Sequence, residues 1–119
     1  MIDNIRLSEK AKQQLIIIKR KTGIENWNVL CRWALCLSLA EESIPPFEDI
    51  QTASSVEMTW KVFSGEHSHI FNSIVLQRIN SDCISSSDDF DTIFKLHLHR
   101  GISFLSNKVT SINDIIELA

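Results

Sequence analysis

Residues 27–40 read WNVLCRWALCLSLA, a stretch in which Arg32 is the one charged residue. The pattern predicts a helix that begins near Glu25 or Asn26 and ends at about Ala40. A helix that is apolar on all sides has to be buried on several of them. Because the chain has only 119 residues, we expect further copies of the chain to cover part of this helix. Arg32 has to reach the surface or pair with an acid or a phosphate.

A strand and a first helix precede this stretch. Residues 5–7 alternate between apolar and polar side chains, which predicts a short strand. Ser8 can cap a helix, and Glu9 falls in the first turn, where the helix dipole favours an acid. The apolar positions that share one helix face are Ala11, Leu15 and Ile18. Gly23 suits the C-cap, so the predicted helix runs from about Ser8 to Thr22.

Three consecutive cations, Lys19, Arg20 and Lys21, end this predicted helix. Cations stabilise the negative end of the helix dipole by about 0.3–1 kcal/mol each at low salt. Neighbouring side chains on a helix point about 100° apart, and adjacent cations repel one another. The dipole therefore explains one or two of the three cations, and contact with a phosphate is the alternative explanation.

The middle of the chain predicts a loop and a short extended segment. Pro45 and Pro46 prevent the second helix from continuing. Residues 58–63 predict a short strand or a docked extended segment, and residues 69–79 predict another helix.

A longer helix is predicted from Ser87 or Asp88 onward, with apolar residues that recur about every four positions. Gly101 lies inside this helix, where a glycine costs about 1 kcal/mol. We therefore expect Gly101 to mark a close helix crossing. Ser111 can cap a last short helix.

These elements predict a mainly α fold in one compact domain over residues 1–119. Residues 1–42 form a strand-helix-helix unit that is similar to a ribbon-helix-helix. Residues 43–65 form a loop and a short extended segment, and residues 66–119 form a helical part.

The net charge of −3 hides an asymmetry along the chain. Residues 1–32 hold seven Lys or Arg and three Asp or Glu, a net charge of +4. Residues 33–119 hold five and twelve respectively, a net charge of −7. Because local potential steers a polyanion, the N-terminal part can attract nucleic acid although the whole chain is acidic. A solvated lysine-rich helix is the simpler alternative.

The sequence also limits the cellular compartment in which the protein is expected. The longest mostly apolar stretch, residues 27–40, is shorter than the about 20 residues of a transmembrane helix. The start, MIDNIRLSEK, lacks the apolar core of a signal peptide. Cys31, Cys36 and Cys83 cannot all pair and lack metal-site spacing. We therefore expect a cytoplasmic protein that does not enter a membrane.

The sequence predicts no catalytic residue, no metal site and no cofactor. Two His-x-His pairs occur, at His67 and His69 and at His97 and His99. The second pair lies on a predicted helix, where positions two apart diverge by about 200°. We expect His97 to face a polar contact in the core and His99 to face the surface. The acidic residues at 88–91 suit a helix start, and no glycine-rich phosphate loop or nucleophile motif occurs.

DNA binding has more support in the sequence than catalysis or metal binding. A strand followed by two helices is the outline of a ribbon-helix-helix unit, in which two chains pair their strands and the ribbon enters a groove. Arg6 is the one side chain that so short a ribbon offers for reading bases. Phosphate contacts are easier to support, and each would add about −0.9 to the slope of log affinity against log salt. The candidate DNA-binding residues are Lys10, Lys12, Lys19, Arg20 and Lys21.

Four segments, in this order and spacing, carry a resemblance to a known family. They are IRLSEKAKQQL (5–15), KRKTGIENWNVLCRWALCLSLAEE (19–42), FSGEH (63–67) and LHLHRGISFL (96–105). Together they resemble the DndE family, the small component of bacterial DNA phosphorothioation systems.

The resemblance implies a non-enzymatic DNA-binding protein in machinery that replaces a non-bridging phosphate oxygen with sulfur. It implies a ribbon-helix-helix-like helical fold, a homotetramer, other Dnd proteins as partners and a preference for nicked double-stranded DNA. The implied contacts are surface lysines, which here would come from Lys10, Lys12, Lys19 and Lys21. Residues 43–57 match no part of the family pattern, so no role transfers to them. Our hypothesis is that the tetramer selects nicks through DNA deformability and phosphate contacts.

Other functional classes remain open. A sequence-specific ribbon-helix-helix repressor would prefer a short palindrome and depend on Arg6. A structural adaptor that holds the other Dnd proteins together would retain no DNA in a salt-sensitive way. A nicking endonuclease would require a divalent metal ion, for which the sequence offers no clear ligand set.

Overall fold

The computed structural model describes residues 3–82 and 90–110, together with residues 113, 114 and 116. These residues form a mainly helical globule with a Cα radius of gyration of 13.6 Å, which confirms the predicted fold class. In chain order the elements are β1 (Asn4–Arg6), α1 (Glu9–Thr22), α2 (Trp27–Ala40), β2 (Glu57–Thr59), α3 (Trp60–Ser64), a 3-10 turn (Gly65–His67), α4 (Ser68–Ser81) and α5 (Phe90–Lys108).

Helix α1 begins and ends where its capping residues predict. The Ser8 hydroxyl accepts a hydrogen bond from the Ala11 backbone N–H at 3.1 Å, which satisfies one free donor of the first turn. Gly23 adopts φ of 76°, and its N–H donates to the Lys19 carbonyl at 2.8 Å. Glycine is favoured here because this left-handed conformation is unstrained without a Cβ. Thr22 is the last helical residue, as predicted.

The two strands form a small antiparallel sheet within the chain. Ile5 lies opposite Met58, and both side chains are buried, whereas Arg6 lies opposite Glu57 on the exposed face. The pairing continues beyond the strand through a hydrogen bond from the Leu7 N–H to the Val56 carbonyl. Strand, helix and helix therefore follow in the predicted order, and the strand partner of β1 belongs to the same chain.

The segment predicted as a strand over residues 58–63 changes structure after Thr59. The Thr59 hydroxyl accepts from the Val62 N–H at 3.1 Å and caps α3, so Trp60 and Phe63 are helical rather than extended. Spacing of three residues lets both aromatic rings enter the core together. Arg32 donates to the Phe63 carbonyl at 2.8 Å, so its partner is a backbone oxygen rather than an acid.

Helices α2 and α5 cross at the centre of the core. A Cβ on Gly101 of α5 would overlap the backbone carbonyl group of Ala34 of α2. The predicted close crossing at Gly101 is thus confirmed. Fully buried side chains surround the crossing on both helices: Leu30, Cys31, Leu35, Leu98, Ile102 and Leu105. The central helix of the sequence is therefore buried along one face by α5.

The remaining helices are partly as predicted. Helix α4 extends one residue before and two residues beyond the predicted 69–79. Helix α5 contains the predicted apolar repeat and Gly101. The capping residues predicted for it, Ser87 and Asp88, and the cap Ser111 of the last helix lie outside the described residues.

Substitution Gly101→Ala should destabilise the protein by about 3 kcal/mol, the upper end of the usual cost of overpacking, or prevent folding, because the added methyl group meets backbone that cannot move independently. Urea denaturation followed by far-ultraviolet circular dichroism measures the change in the free energy of unfolding.

The matched control is Gly23→Ala. No atom lies within 4 Å of a Cβ at Gly23, so this change costs only the left-handed backbone strain of about 1–2 kcal/mol. Equal destabilisation by the two substitutions would contradict the close crossing.

Candidate nucleic-acid interface

Helix α1 presents its charged side to solvent because one narrow apolar face attaches it to the core. The buried residues of α1 are Ala11, Leu15, Ile18 and Thr22. They recur at spacings of four, three and four, which places them along one stripe. The rest of the helix surface is available for polar and charged residues.

The five candidate DNA-binding residues do not share one side of α1. At about 100° per residue, Lys10 and Lys21 fall on one side of the buried stripe, and Lys12 and Lys19 fall on the other. Arg20 points close to the outermost direction, opposite the buried stripe. Lys10, Arg20 and Lys21 are exposed, whereas Lys12 and Lys19 are half-buried. One helix therefore offers two cationic edges.

The edge formed by Lys12 and Lys19 is positioned by neighbouring side chains. The Lys12 ammonium donates to the Ser55 hydroxyl at 2.9 Å. The Lys19 ammonium lies 4.2 Å from the ring centroid of Trp27, a cation–π contact. Both contacts leave the positive charge unneutralised, because neither partner is an acid.

None of the five cations forms an ion pair within the described part of the chain. Glu9, the neighbour of Lys10 in the sequence, instead accepts a hydrogen bond from Gln13 at 3.0 Å. At the end of α1, the Thr22 hydroxyl donates to the Ile18 carbonyl and the Gly23 N–H donates to the Lys19 carbonyl. No hydrogen bond joins the side chains of these five cations to a carbonyl at the end of α1 in the described chain, so they remain available to an external anion.

The arginines of the acidic half have a different role, which sequence patterns did not reveal. Arg100 donates to the Ser38 carbonyl, the Ser38 hydroxyl and the Ser43 carbonyl, each at 2.8 Å. Arg78 donates to the Leu39 and Ser43 carbonyls, also at 2.8 Å. We call these two residues the arginine clamp. It satisfies the Ser38 and Leu39 carbonyls of the last turn of α2 and the Ser43 carbonyl of the loop that follows, so these cations serve the fold rather than a ligand.

His97 is fully buried, as predicted, with a polar contact in the core. Its Nδ1 lies 2.8 Å from the Ser38 hydroxyl, which also accepts from Arg100. Its Nε2 has no hydrogen-bond partner among the described residues. Burial, reinforced by Arg100 and Arg78, lowers the pKa of His97 to about 4, so the imidazole is neutral at physiological pH.

His99 does not simply face the surface, contrary to the prediction. It is half-buried, its Nε2 accepts from the Ser8 N–H at 3.1 Å, and its Nδ1 donates to the Lys95 carbonyl at 2.8 Å. The N-terminus of α1 packs against α5 at this point, which explains why the ring is covered. Burial lowers the pKa of His99.

The described residues contain no group of three His, Cys, Asp or Glu side chains that could hold a metal ion. His67 and His69 are exposed. Burial raises the pKa of the Cys31 thiol to about 12 and thereby suppresses its thiolate form. Over the described ranges, no helix is long and apolar enough to cross a membrane.

The family model described as "DNA sulphur modification protein DndE" matches residues 4–113. The chain belongs to the DndE family. Its role therefore lies in DNA sulphur modification, as the sequence resemblance implied. No curated protein matches the sequence.

Two crystal structures of DndE have the same fold as this family member. DndE from Escherichia coli B7A, involved in DNA phosphorothioation modification, has a TM-score of 0.72 at 19% identity. The alignment covers 88% of this chain and 98% of that one. A DndE G21/24K mutant involved in DNA phosphorothioation has a TM-score of 0.68 at 17% identity, with 90% of this chain and 99% of that chain covered.

The buried histidine makes stability depend on pH. Because folding lowers the pKa of His97 from 6.5 to about 4, the unfolded chain takes up a proton first as the pH falls. The contribution of neutral His97 to the free energy of unfolding is complete above about pH 6.5, and about 2 kcal/mol of it should be lost by pH 5. Urea denaturation at pH 7 and pH 5 measures this difference.

The variant His97→Gln should show a smaller decrease in stability between the two pH values, and the remaining slope includes His99, whose pKa is also lowered. A pH dependence equal to that of the wild type would contradict the assignment to His97.

Proposed function

We propose that this DndE-family chain is the DNA-binding subunit of the sulfur-modification machinery and has no catalytic activity of its own. It binds double-stranded DNA, with a preference for nicked duplex, through the cationic surface of a homotetramer. The observation that carries the proposal is the presence on α1 of five cations without an acidic partner in the described chain. The proposed contacts are Lys10, Lys12, Lys19, Arg20 and Lys21.

Phosphate contact explains the arrangement of these cations better than base reading does. Helix α1 is about 21 Å long at about 1.5 Å per residue, and cations lie near both of its ends. Side chains that reach the two edges of an exposed helix can follow the phosphates of a strand without entering a groove. The partner is then recognised by charge and shape rather than by sequence.

Assembly into a tetramer would concentrate a charge that one chain supplies only modestly. Val29, Trp33, Cys36 and Ala40 recur at spacings of four, three and four along the side of α2 that faces away from α5. Each is at least partly exposed. Ile70 and Ile74 of α4 are exposed apolar side chains too. We call this surface the α2 stripe and propose it as the contact between copies.

A preference for nicks follows from deformability. A protein that draws DNA across several cationic helices has to bend it, and bending an intact site costs about 1–6 kcal/mol. A nick interrupts one strand and makes a flexible joint. The tetramer therefore forms phosphate contacts on nicked DNA at a lower deformation cost, without reading any base.

A sequence-specific repressor fits the described contacts less well. Arg6, the candidate base reader, forms an ion pair with Glu57 at 2.6 Å. If the exposed face of the sheet entered a groove, Glu57 would also approach the phosphates and would be repelled by them. In addition, β1 pairs with β2 of its own chain. Both observations favour phosphate binding by α1 over base reading by the sheet.

The variant Lys19→Ala/Lys21→Ala removes one cation from each edge of α1. We expect weaker binding and a shallower dependence of log affinity on log salt, by about 0.9 for each phosphate that the variant no longer neutralises. Fluorescence anisotropy with a labelled nicked duplex at several salt concentrations measures both quantities.

The control for this experiment is Lys61→Ala/Lys108→Ala, which removes the same charge from two exposed lysines outside α1. It should leave the salt slope close to that of the wild type. Equal effects of the two double variants would mean that net charge alone governs binding, and would contradict an α1 interface.

Substitution Cys36→Glu places a charge in the α2 stripe and should break the tetramer into smaller species, because an unpaired carboxylate is costly in an apolar contact. Native mass spectrometry reports the change. The control Leu76→Glu, on an exposed residue of α4 outside the stripe, should keep the tetramer. Retention of the wild-type mass by both variants would place the contact elsewhere.

A further inference from the structure

The loop after α2 combines acidic and apolar residues over nine positions. Residues 41–49 read EESIPPFED and contain no Lys, Arg or His. We call this segment the acidic loop. Its four carboxylates, Glu41, Glu42, Glu48 and Asp49, are all exposed. The Ser43 N–H donates to Glu41 and lowers the pKa of that carboxyl, which keeps it ionised. The four carboxylates outnumber the two guanidinium groups, of Arg78 and Arg100, that contact the base of the loop, so the loop is locally negative.

Two large apolar side chains lie between these acids and face solvent. Phe47 is 79% exposed and Ile44 is 53% exposed. An aromatic ring of this size buries about 150–250 Å² when it enters a pocket. Isolated exposed apolar residues are ordinary, but here two of them share a short segment with four carboxylates. The pattern matches an apolar anchor with a charged rim.

The base of the acidic loop is held in one conformation. The arginine clamp engages the Ser43 carbonyl from two sides, since Arg78 and Arg100 each donate to it at 2.8 Å. Arg78 also donates to the Glu42 carbonyl at 3.1 Å. Pro45 is buried and its ring fixes φ. Because these contacts hold residues 42–45, the base of the loop has little entropy to lose on binding.

We propose that the acidic loop is the docking surface for another protein of the DNA sulfur-modification system, which presents an apolar pocket bordered by Lys and Arg. Phe47 enters that pocket, Ile44 packs beside it, and the carboxylates pair with the rim. The proposal rests on membership of the DndE family and not on DNA binding by α1.

Two other occupants of the loop are less favoured. An apolar side chain can wedge between DNA base steps, but proteins that do so place cations beside the wedge. Four carboxylates next to Phe47 would instead repel the phosphates. A second copy of this chain offers cations mainly on α1, and docking there would cover the residues proposed to bind DNA.

The test uses the other Dnd proteins of the same system, purified and titrated one at a time into the full-length chain by isothermal calorimetry. At least one should bind the wild type, and Phe47→Ala should weaken that binding by about tenfold or more. The control Leu76→Ala truncates a residue of similar exposure to Ile44 outside the loop and should bind normally. Glu48→Gln/Asp49→Asn should weaken binding and reduce its salt dependence.

Parallel measurements on Phe47→Ala separate this proposal from the others. Nicked-duplex affinity and native mass should both equal those of the wild type. Weaker DNA affinity would make the loop a DNA contact, and a lower mass would make it a contact between copies; either result overturns the proposal. So does binding of no Dnd protein, or binding that Phe47→Ala leaves unchanged. DNA binding by α1 can fail without affecting any of these outcomes.

Discussion

The close approach of Gly101 to the backbone of Ala34 is the constraint on which the rest of the fold depends. Because α2 and α5 touch through backbone at this point, their large side chains interdigitate on both sides of the contact. The same crossing brings His97 and Arg100 of α5 to Ser38 near the end of α2. The central apolar helix is thus covered on one face by the chain itself, and its other face is partly exposed.

This arrangement divides the cations of the chain into two groups with different roles. Arg78 and Arg100 donate to carbonyl groups at the end of α2, and Arg32 donates to the Phe63 carbonyl. These guanidinium groups are committed to the fold. The cations of α1 have no acidic partner in the described chain. The two groups therefore differ in what their donors contact: backbone carbonyls for these three arginines, and no acid of the described chain for the cations of α1.

Sequence patterns predict α1 and α2 almost to the residue, α1 from the Ser8 cap and Gly23 and α2 from its continuous apolar stretch. They also predict the close crossing at Gly101. They fail where contacts between distant residues determine the local structure. Helix α3 forms because Thr59 caps a turn whose aromatic rings fit the core. His99 is covered because α1 packs on α5. The identities of the candidate DNA contacts are readable from charge, but their separation onto two edges and the arginine clamp require the folded helices.

The most direct test of the proposed function is native mass spectrometry of the purified protein with intact and nicked duplexes of the same sequence. We expect a tetramer that binds one nicked duplex in preference to the intact duplex when the two compete. A monomer that binds neither duplex, or a tetramer that binds both equally, would contradict the proposal that assembled cationic helices select DNA through its deformability.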